Sequence, residues 1–375
     1  MAEALLGYPA TTGNRVDLLR NGVEIFPALL SELQRAERSI DFTCYVVDGD
    51  RVAEQVVRTL LERAEAGVRV RLLLDPLGAR AIDRSWSKLL TASGVDVSWY
   101  RLDAGFRLWE QNHRNHRRII VCDERVAITG GFGLAERWDG DARTPDEWRD
   151  TAVRVEGPAV VGLRASFLAG WATAGGSPLD VADVLADPGT PGDVTVLPWR
   201  GAGGPGWNDT ASVWAALLGT ARRRLRITTP YFAPDERFLG LLEAVAERDV
   251  EVQLLLPGPH ADQEVLQRAA EASFDRLLAA GVSIHRYQPT MVHAKVVTTD
   301  GEAALVGTPN FDARSLSRND EVGVLVFDED VVGRLDADTD DDLARSEPVD
   351  PERWAERGVA RRAREAAVGL IDGEL

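Results

Sequence analysis

The sequence predicts an α/β fold of two similar domains, each a mixed β-sheet flanked by helices, related by a pseudo-twofold axis. Short apolar runs bounded by glycine or proline, at 68–74 and 252–256, are typical of buried parallel strands. Amphipathic stretches at 52–66 and 238–247 predict helices between such strands. Strands that alternate with helices favour a sheet covered by helices.

An internal repeat of domain size supports the prediction of two halves. The corresponding segments are 37–45 with 224–232, 66–74 with 248–256, and 89–95 with 277–282. A repeat of this size indicates two similar halves and not a solenoid. A chain of 375 residues is long enough for two domains of ordinary size, which we place at 1–178 and 192–375. The segment 174–193, rich in Gly, Pro and Asp, is predicted to link them.

Composition and charge narrow the classes of function. The chain is 45% hydrophobic, enough for a sizeable core, and its formal net charge is −17. Nucleic-acid binding normally requires a basic face, so bulk nucleic-acid binding is not expected. The sequence has no run long enough for a membrane span, and residues 1–20 do not resemble a signal peptide. We therefore expect a cytoplasmic monomer that makes at most transient contact with a membrane surface. Cys44 and Cys122 are predicted to be core thiols.

An unusual string occurs at the same place in both halves of the repeat. Residues 116–123 are His-x-Arg-x4-Asp, and residues 293–300 are His-x-Lys-x4-Asp. Residues i and i+2 of a strand lie on one face, so each copy projects an imidazole and a cation side by side. Two such pairs that face each other would surround a phosphate.

These residue types suit the chemistry of a phosphodiester. One imidazole can attack phosphorus and form a phosphohistidine, and a second can serve as general acid and then general base. His116 and His293 fit these two tasks. Arg118 and Lys295 can offset the charge on the phosphoryl oxygens. Because side chains supply the cations, we expect no metal and no cofactor.

The duplicated string resembles the signature of the phospholipase D superfamily, His-x-Lys-x4-Asp in two copies. The second copy continues as in that family, with Gly-Thr-x-Asn at 307–310 and Asn-x-Glu at 319–321. The segments 148–158 and 228–235 look like parts of bacterial cardiolipin synthases. The resemblance covers nearly the whole chain, so the two predicted αβα domains are expected to be phospholipase D-like.

The resemblance also implies roles for individual residues. His116 would be the nucleophile and His293 the acid and base. Thr308 and Asn310 would bind phosphoryl oxygens. Glu321 would orient a catalytic imidazole. In the first half, the place of Glu321 is taken by Asp150.

The first half departs from the family pattern at two positions. Arg118 stands where the family has a lysine. The positive charge is kept, but a planar guanidinium replaces a compact ammonium group. Gly133 stands where the family has asparagine. The first half is therefore expected to have one phosphate donor fewer. The N-terminal membrane helices of many cardiolipin synthases have no counterpart here, so membrane residence is not expected from the resemblance.

Several residues near the repeated string have a second interpretation. Asp123 and Asp300 precede predicted hairpin turns, and we expect them to hold the turns more than to contact substrate. Tyr231 and Phe232 at a strand end are predicted pocket residues, with a core position as the alternative. The remaining candidates lie in predicted loops or on the surface. Trp109 and Phe106 belong to an insertion at 101–115 that either covers the site or is an ordinary surface loop. His260 is a further candidate for substrate contact, and His113 and His285 have no predicted role.

The sequence thus predicts phosphodiester cleavage or phosphatidyl transfer through a phosphohistidine, with a phospholipid as substrate. One alternative is a nuclease or small-molecule phosphodiesterase of the same superfamily. Another is a degenerate protein that binds phosphate without turnover.

Overall fold

The structure is a computed structural model that describes residues 2–82, 84–101, 113–178, 187–203 and 209–357. Its strands are β1 (Thr11–Arg20), β2 (Ser39–Cys44), β3 (Arg69–Leu74), β4 (Asp96–Trp99), β5 (Ile119–Cys122), β6 (Val126–Gly130), β7 (Thr151–Glu156), β8 (Val194–Gly201), β9 (Arg224–Thr228), β10 (Phe232–Ala233), β11 (Glu251–Pro257), β12 (Ser283–Tyr287), β13 (Val296–Thr299), β14 (Ala303–Gly307), β15 (Phe311–Asp312), β16 (Glu321–Phe327) and β17 (Ser346–Pro348).

Helices alternate with many of these strands. They are α1 (Ala2–Leu6), α2 (Asn21–Arg35), α3 (Arg51–Glu65), α4 (Arg84–Ala92), α5 (Val160–Thr173), α6 (Asp209–Thr220), α7 (Glu236–Ala246), α8 (Glu264–Ala279), α9 (Ala313–Ser317), α10 (Glu329–Ala344) and α11 (Pro351–Ala355), with a 3₁₀ turn at Glu136–Trp138. Of these, α3 and α7 match the two predicted helical stretches. Aspartates cap the N-termini of several of these helices. Asp50 accepts hydrogen bonds from N–H groups in the first turn of α3, and Asp235 does the same for α7.

The two halves are joined edge to edge in one mixed sheet. Among the described residues its order is β17-β12-β11-β9-β13-β14-β16-β8-β1-β7-β6-β5-β2-β3-β4. The antiparallel pair β1–β8 is the junction. Outward from it, β7-β6-β5-β2-β3-β4 repeats the arrangement of β16-β14-β13-β9-β11-β12. The predicted α/β fold with pseudo-symmetric halves is confirmed, although the two predicted sheets are continuous.

Helices cover both faces of this sheet because alternate strand residues point to opposite sides. Ile120 and Cys122 of β5 belong to a core that includes α2 and α3, whereas Ile119 and Val121 belong to a core that includes α5 and α10. This second core also contains residues of β14 and β16, so it is shared by both halves. Cys44 and Cys122 are buried free thiols.

The first residues of the chain contribute to the second half. Leu6 of α1 packs in the core formed around α6, α7 and α8. The last described helix of the first half, α5, ends at Thr173, and β8 of the second half begins at Val194. The domain boundary between 178 and 192 stays a prediction. Within the described ranges, no helix combines the length and the apolar character needed to cross a membrane.

The aspartates that end the two repeated strings brace the hairpins β5–β6 and β13–β14. Asp123 and Asp300 both have left-handed backbones, with φ of 52° and 59°. The Asp123 carboxylate accepts hydrogen bonds of 2.7 to 2.9 Å from the N–H groups of residues 37–39. Asp300 accepts equally short bonds from residues 222–224. Each carboxylate therefore fixes the start of the neighbouring strand, β2 or β9.

Candidate active site

Both repeated histidines lie in extended segments that end where the hairpin strands β5 and β13 begin. Each segment is bound to the backbone of the opposite half. The N–H of His116 donates to the carbonyl of Asp320 at 3.0 Å, and the N–H of His293 donates to the carbonyl of Arg149 at 2.7 Å. Two isolated parallel bridges, Asn115 with Asp320 and Arg149 with Val292, mark the same contacts. The pseudo-twofold axis therefore brings the two histidine segments together.

Each imidazole is held by a carboxylate from the other half. Nδ1 of His116 lies 3.0 Å from both carboxylate oxygens of Glu321, the first residue of β16. Nδ1 of His293 lies 3.0 Å from Oδ2 of Asp150, which directly precedes β7. The resemblance implied that Glu321 orients an imidazole, and the structure places it on His116. Neither half contains a complete imidazole–carboxylate pair of its own.

A cation lies beside each imidazole. Nη1 of Arg118 is 3.1 Å from Nε2 of His116 and donates to the His116 carbonyl at 2.8 Å. Nζ of Lys295 is 2.8 Å from Nδ1 and 3.0 Å from Nε2 of His293, and it donates to the His293 carbonyl at 2.7 Å. If Nδ1–H of each imidazole donates to its carboxylate, Nε2 carries the lone pair, which lies within hydrogen-bond distance of Arg118 or Lys295. Each cation must turn from Nε2 to the substrate before that lone pair can attack phosphorus or accept a proton.

The environment keeps both imidazoles neutral at neutral pH. Burial, followed by the charge of Arg118, lowers the pKa of His116 to about 4. Burial and then Lys295 hold the pKa of His293 well below its ordinary value. Burial also places the pKa of Lys295 well below its ordinary value. A bound phosphate anion would favour the charged form of each of these groups.

The two carboxylates differ in their tendency to ionise. Burial raises the pKa of Asp150 to about 6. Burial would also raise the pKa of Glu321, but His116 and the Thr308 hydroxyl outweigh it and hold that pKa below its ordinary value. Glu321 is therefore a fixed negative charge, whereas Asp150 titrates close to neutral pH.

His116, Arg118 and His293 lie on the wall of a cleft of about 520 Å³. Its lining is cationic and aromatic, with some carboxylates and amides: Tyr45, Val46, Leu77, Arg114, His116, Arg118, Arg137, Trp138, Trp148, Tyr231, Asp262, Gln263, Leu266, His293, Asn310, Asp312, Arg314 and Asn319. Within the described part of the chain, no group of three or more His, Cys, Asp or Glu side chains is arranged to hold a metal.

Only some of the predicted phosphate ligands and pocket residues line the cleft. Asn310 lines the cleft, and its Oδ1 has no hydrogen-bond partner among the described residues. Thr308 is not part of the described cleft lining, and its hydroxyl donates to Glu321. Tyr231 lines the cleft, and its hydroxyl donates to Asp262 at 2.8 Å. Phe232 lies instead in the hydrophobic core against Phe311, the alternative position that the sequence left open.

The other candidate residues occupy varied places. His113 was expected in a loop or on the surface, and it lies in a loop whose packing buries it. The same expectation was wrong for His285, which lies half-buried in β12, next to the edge strand β17. His260 is absent from the described cleft lining, although Asp262 and Gln263 of the same loop contribute to it. Trp109 and Phe106 lie outside the described residues.

Sequence reasoning missed an aromatic group beside His293. The rings of Trp138 and Trp148 lie 5.1 and 5.2 Å from the His293 ring. The guanidinium of Arg137 lies over both indoles, at 4.7 and 5.1 Å. Nε1 of Trp138 donates to Oδ2 of Asp150 at 2.9 Å. The tryptophans follow no spacing in the sequence that would single these two out.

Gly133 does not leave an empty phosphate site. A Cβ at this position would lie 2.8 Å from the Trp138 ring and 2.9 Å from Cβ of Val46. Contacts this short require a neighbour to move. The space that the expected asparagine would occupy is therefore filled by Trp138.

Comparison with known proteins agrees with this geometry. A family profile described as "Cardiolipin synthase, PLD-like domain" matches residues 29–141 and 215–343, one segment in each half. The chain belongs to this phospholipase D-like family. It is a phospholipase D-type enzyme by the same evidence, and the resemblance stated from the sequence is confirmed.

Curated relatives match over most of the chain. A cardiolipin synthase of Geobacillus kaustophilus (strain HTA426) is 32% identical over 371 residues, which cover 97% of this chain and 73% of the relative. Cardiolipin synthase 2 of Bacillus anthracis is 31% identical over 360 residues, covering 94% and 69%.

Solved structures with low sequence identity share the fold. Phosphatidylserine synthase of Haemophilus influenzae Rd KW20 has a TM-score of 0.72 at 14% identity, covering 100% of this chain and 99% of that chain. Polyphosphate kinase of Porphyromonas gingivalis has a TM-score of 0.63 at 13% identity, covering 96% of this chain and 53% of that chain.

Proposed function

We propose that the protein transfers the phosphatidyl group of a phospholipid to an alcohol through a phosphohistidine intermediate. The observation that carries this proposal is the pair of imidazoles in one cleft, each bound to a carboxylate of the opposite half. Two imidazoles with separate partners suit two linked displacements at one phosphorus atom. The cardiolipin synthases among the relatives support a phospholipid as substrate.

In the first displacement, Nε2 of His116 attacks phosphorus. Its ring becomes positively charged when the P–N bond forms, and the ionised carboxylate of Glu321 at 3.0 Å stabilises that charge. Because His116 has the more strongly ionised partner, it is the better candidate for the covalent step. Arg118 and Lys295 would offset the charge on the phosphoryl oxygens, and the amide of Asn310, which lines the cleft, would assist them.

His293 transfers protons in both displacements. The anionic substrate raises the pKa of His293, so that its protonated Nε2 can donate to the leaving alkoxide. The neutral ring then accepts the proton of the incoming alcohol as that alcohol attacks the phosphohistidine and the P–N bond breaks. Asp150, which is ionised above its pKa of about 6, stabilises the protonated ring.

The proposed acceptor is an alcohol, because the relatives are named as synthases and not as hydrolases. A lipid substrate also requires contact with a membrane surface, and we propose that this contact is peripheral. The formal net charge of −17 disfavours attraction of the protein to an anionic membrane surface by charge alone.

The test is incubation of the purified enzyme with mixed phospholipid vesicles and glycerol, with mass spectrometry of every product. We expect lipids with an exchanged head group, and we expect none from a His116→Ala variant. Phosphatidic acid as the sole product would instead indicate a hydrolase. In a parallel incubation with nucleic acid, cleavage of that nucleic acid, together with no product from the vesicles, would favour the nuclease alternative.

A further inference from the structure

The two active-site carboxylates receive hydrogen bonds from different kinds of donor. In the second half, the hydroxyl of Thr308 donates to Glu321. The matching position in the first half is Gly131, which has no hydroxyl. A Cβ at Gly131 would lie 2.5 Å from Oδ1 of Asp150 and 2.7 Å from the carbonyl of His293. The close approach of these groups therefore excludes a serine or threonine at this position.

Trp138 supplies the missing donor from another part of the chain. Its Nε1 lies 2.9 Å from Oδ2 of Asp150, the same oxygen that Nδ1 of His293 contacts at 3.0 Å. The indole is 2% exposed and meets the His293 ring edge-on. Gly133 provides the room, because a Cβ there would lie 2.8 Å from this indole. At two positions, 131 and 133, the first half has glycine where the second half has Thr308 and Asn310. Both glycines lie next to Trp138 or to the carboxylate that it contacts.

We propose that Trp138 is a positioning residue whose indole N–H holds Asp150 ionised and aligned on His293, and that Gly133 is required to seat it. This proposal rests on the proposed function only for its kinetic consequence. The first half therefore has the indole N–H of Trp138, which donates to Asp150, in place of an asparagine amide at 133 that would donate to phosphate.

The physical effect of the N–H can be separated from that of the ring. A donor to an ionised carboxylate opposes the burial that disfavours its charge, so removing the donor raises the pKa of Asp150 further. The charged and titratable groups around the Asp150–His293 pair also set this balance, and they are Lys295, Arg118, Arg137, Arg149 and His116. Trp138→Phe leaves all of them in place and keeps an aromatic ring against His293.

The first experiment compares Trp138→Phe with Trp171→Phe. Trp171 is a matched control, since it is 1% exposed and its Nε1 donates to the carbonyl of Ser177 at 3.1 Å, outside the cleft. For Trp138→Phe we expect kcat to fall roughly 10- to 100-fold. The acidic limb of the pH–rate profile should move up by about one unit, the order expected for loss of a charge-assisted hydrogen bond. Trp171→Phe should change neither quantity. A fall in kcat without any shift of the acidic limb would overturn the proposal.

The second experiment tests the link to Gly133. Gly133→Asn should lower kcat in the wild-type background because its Cβ displaces the indole. In the Trp138→Phe background, where the N–H is already absent, the same change should cost clearly less. Fully additive losses would show that Gly133 acts independently of the indole N–H.

A third measurement requires no turnover. Titration of the Asp150 carboxyl by ¹³C NMR should show a higher midpoint in Trp138→Phe than in wild type and Trp171→Phe. If the enzyme proves inactive on every phospholipid but this shift appears, the proposed function fails and the positioning role stands. An unchanged midpoint refutes the positioning role whatever the substrate.

Discussion

Replacing Glu321 with glutamine tests the claim that the two halves complete each other. The carboxylate lies 3.0 Å from Nδ1 of His116, is fully buried, and belongs to the opposite half. When His116 carries a positive charge in the covalent step, Glu321 attracts it. At an effective dielectric constant of about 20, two unit charges at this distance attract by about 5 kcal/mol. Loss of that attraction corresponds to a rate decrease on the order of 10³- to 10⁴-fold.

The assay for Glu321→Gln is the single-turnover rate of head-group release under saturating lipid. Glu124→Gln is a suitable control because Glu124 is also buried, and it pairs with Arg69 at 3.4 Å and Arg164 at 3.1 Å. The control should lower the melting temperature and leave the rate per folded molecule unchanged. A folded Glu321→Gln enzyme that retains more than about a tenth of the wild-type rate would refute the electrostatic reasoning.

Three further predictions concern the cations, the metal requirement and pH. Lys295→Ala should reduce turnover on the order of 10²- to 10³-fold, more than Arg118→Ala, while Arg118→Lys should be tolerated; equal losses for the two alanine variants would show that the halves contribute alike. Activity should survive extensive treatment with EDTA, and restoration of lost activity by a divalent ion would contradict this. Turnover should fall as the pH drops through about 6, since Asp150 must be ionised and its pKa is about 6; a rate independent of pH between 5 and 7, roughly one unit on either side, would contradict this role.

The sequence was sufficient to predict the fold, and it indicated four candidate side chains whose catalytic roles stay predictions. Alternating strand and helix patterns are local properties, and a domain-sized repeat predicts similar halves. The spacing of His116 with Arg118, and of His293 with Lys295, requires only the geometry of an extended chain. The structure places His116, Arg118 and His293 on the wall of one cleft, with Lys295 in contact with the His293 ring.

The sequence could not predict which carboxylate serves which imidazole. Glu321 and His116 are 205 residues apart, and the partner of each histidine is decided by how the halves pack. The same limitation explains Thr308, which was expected to bind phosphate by resemblance but donates its hydroxyl to Glu321.

The interpretation of Gly133 shows a second limit of reasoning by position. The absent asparagine was interpreted as a missing hydrogen-bond donor to phosphate. Sequence spacing gives no information on which side chain fills the space that the asparagine would occupy. Trp138, five residues further on, occupies it through the 3₁₀ turn at Glu136–Trp138. Likewise His285 was expected in a loop or on the surface, yet it lies half-buried in β12.

The most direct test of the central claim is to trap the covalent intermediate and locate it. Enzyme mixed rapidly with phospholipid, quenched, digested and analysed by mass spectrometry should carry the phosphatidyl mass on His116. The modified peptide should be absent from His116→Ala and should accumulate in His293→Ala, which lacks the base for the second displacement. Modification of His293 alone would reverse the two roles. An active enzyme with neither histidine modified would contradict the phosphohistidine mechanism.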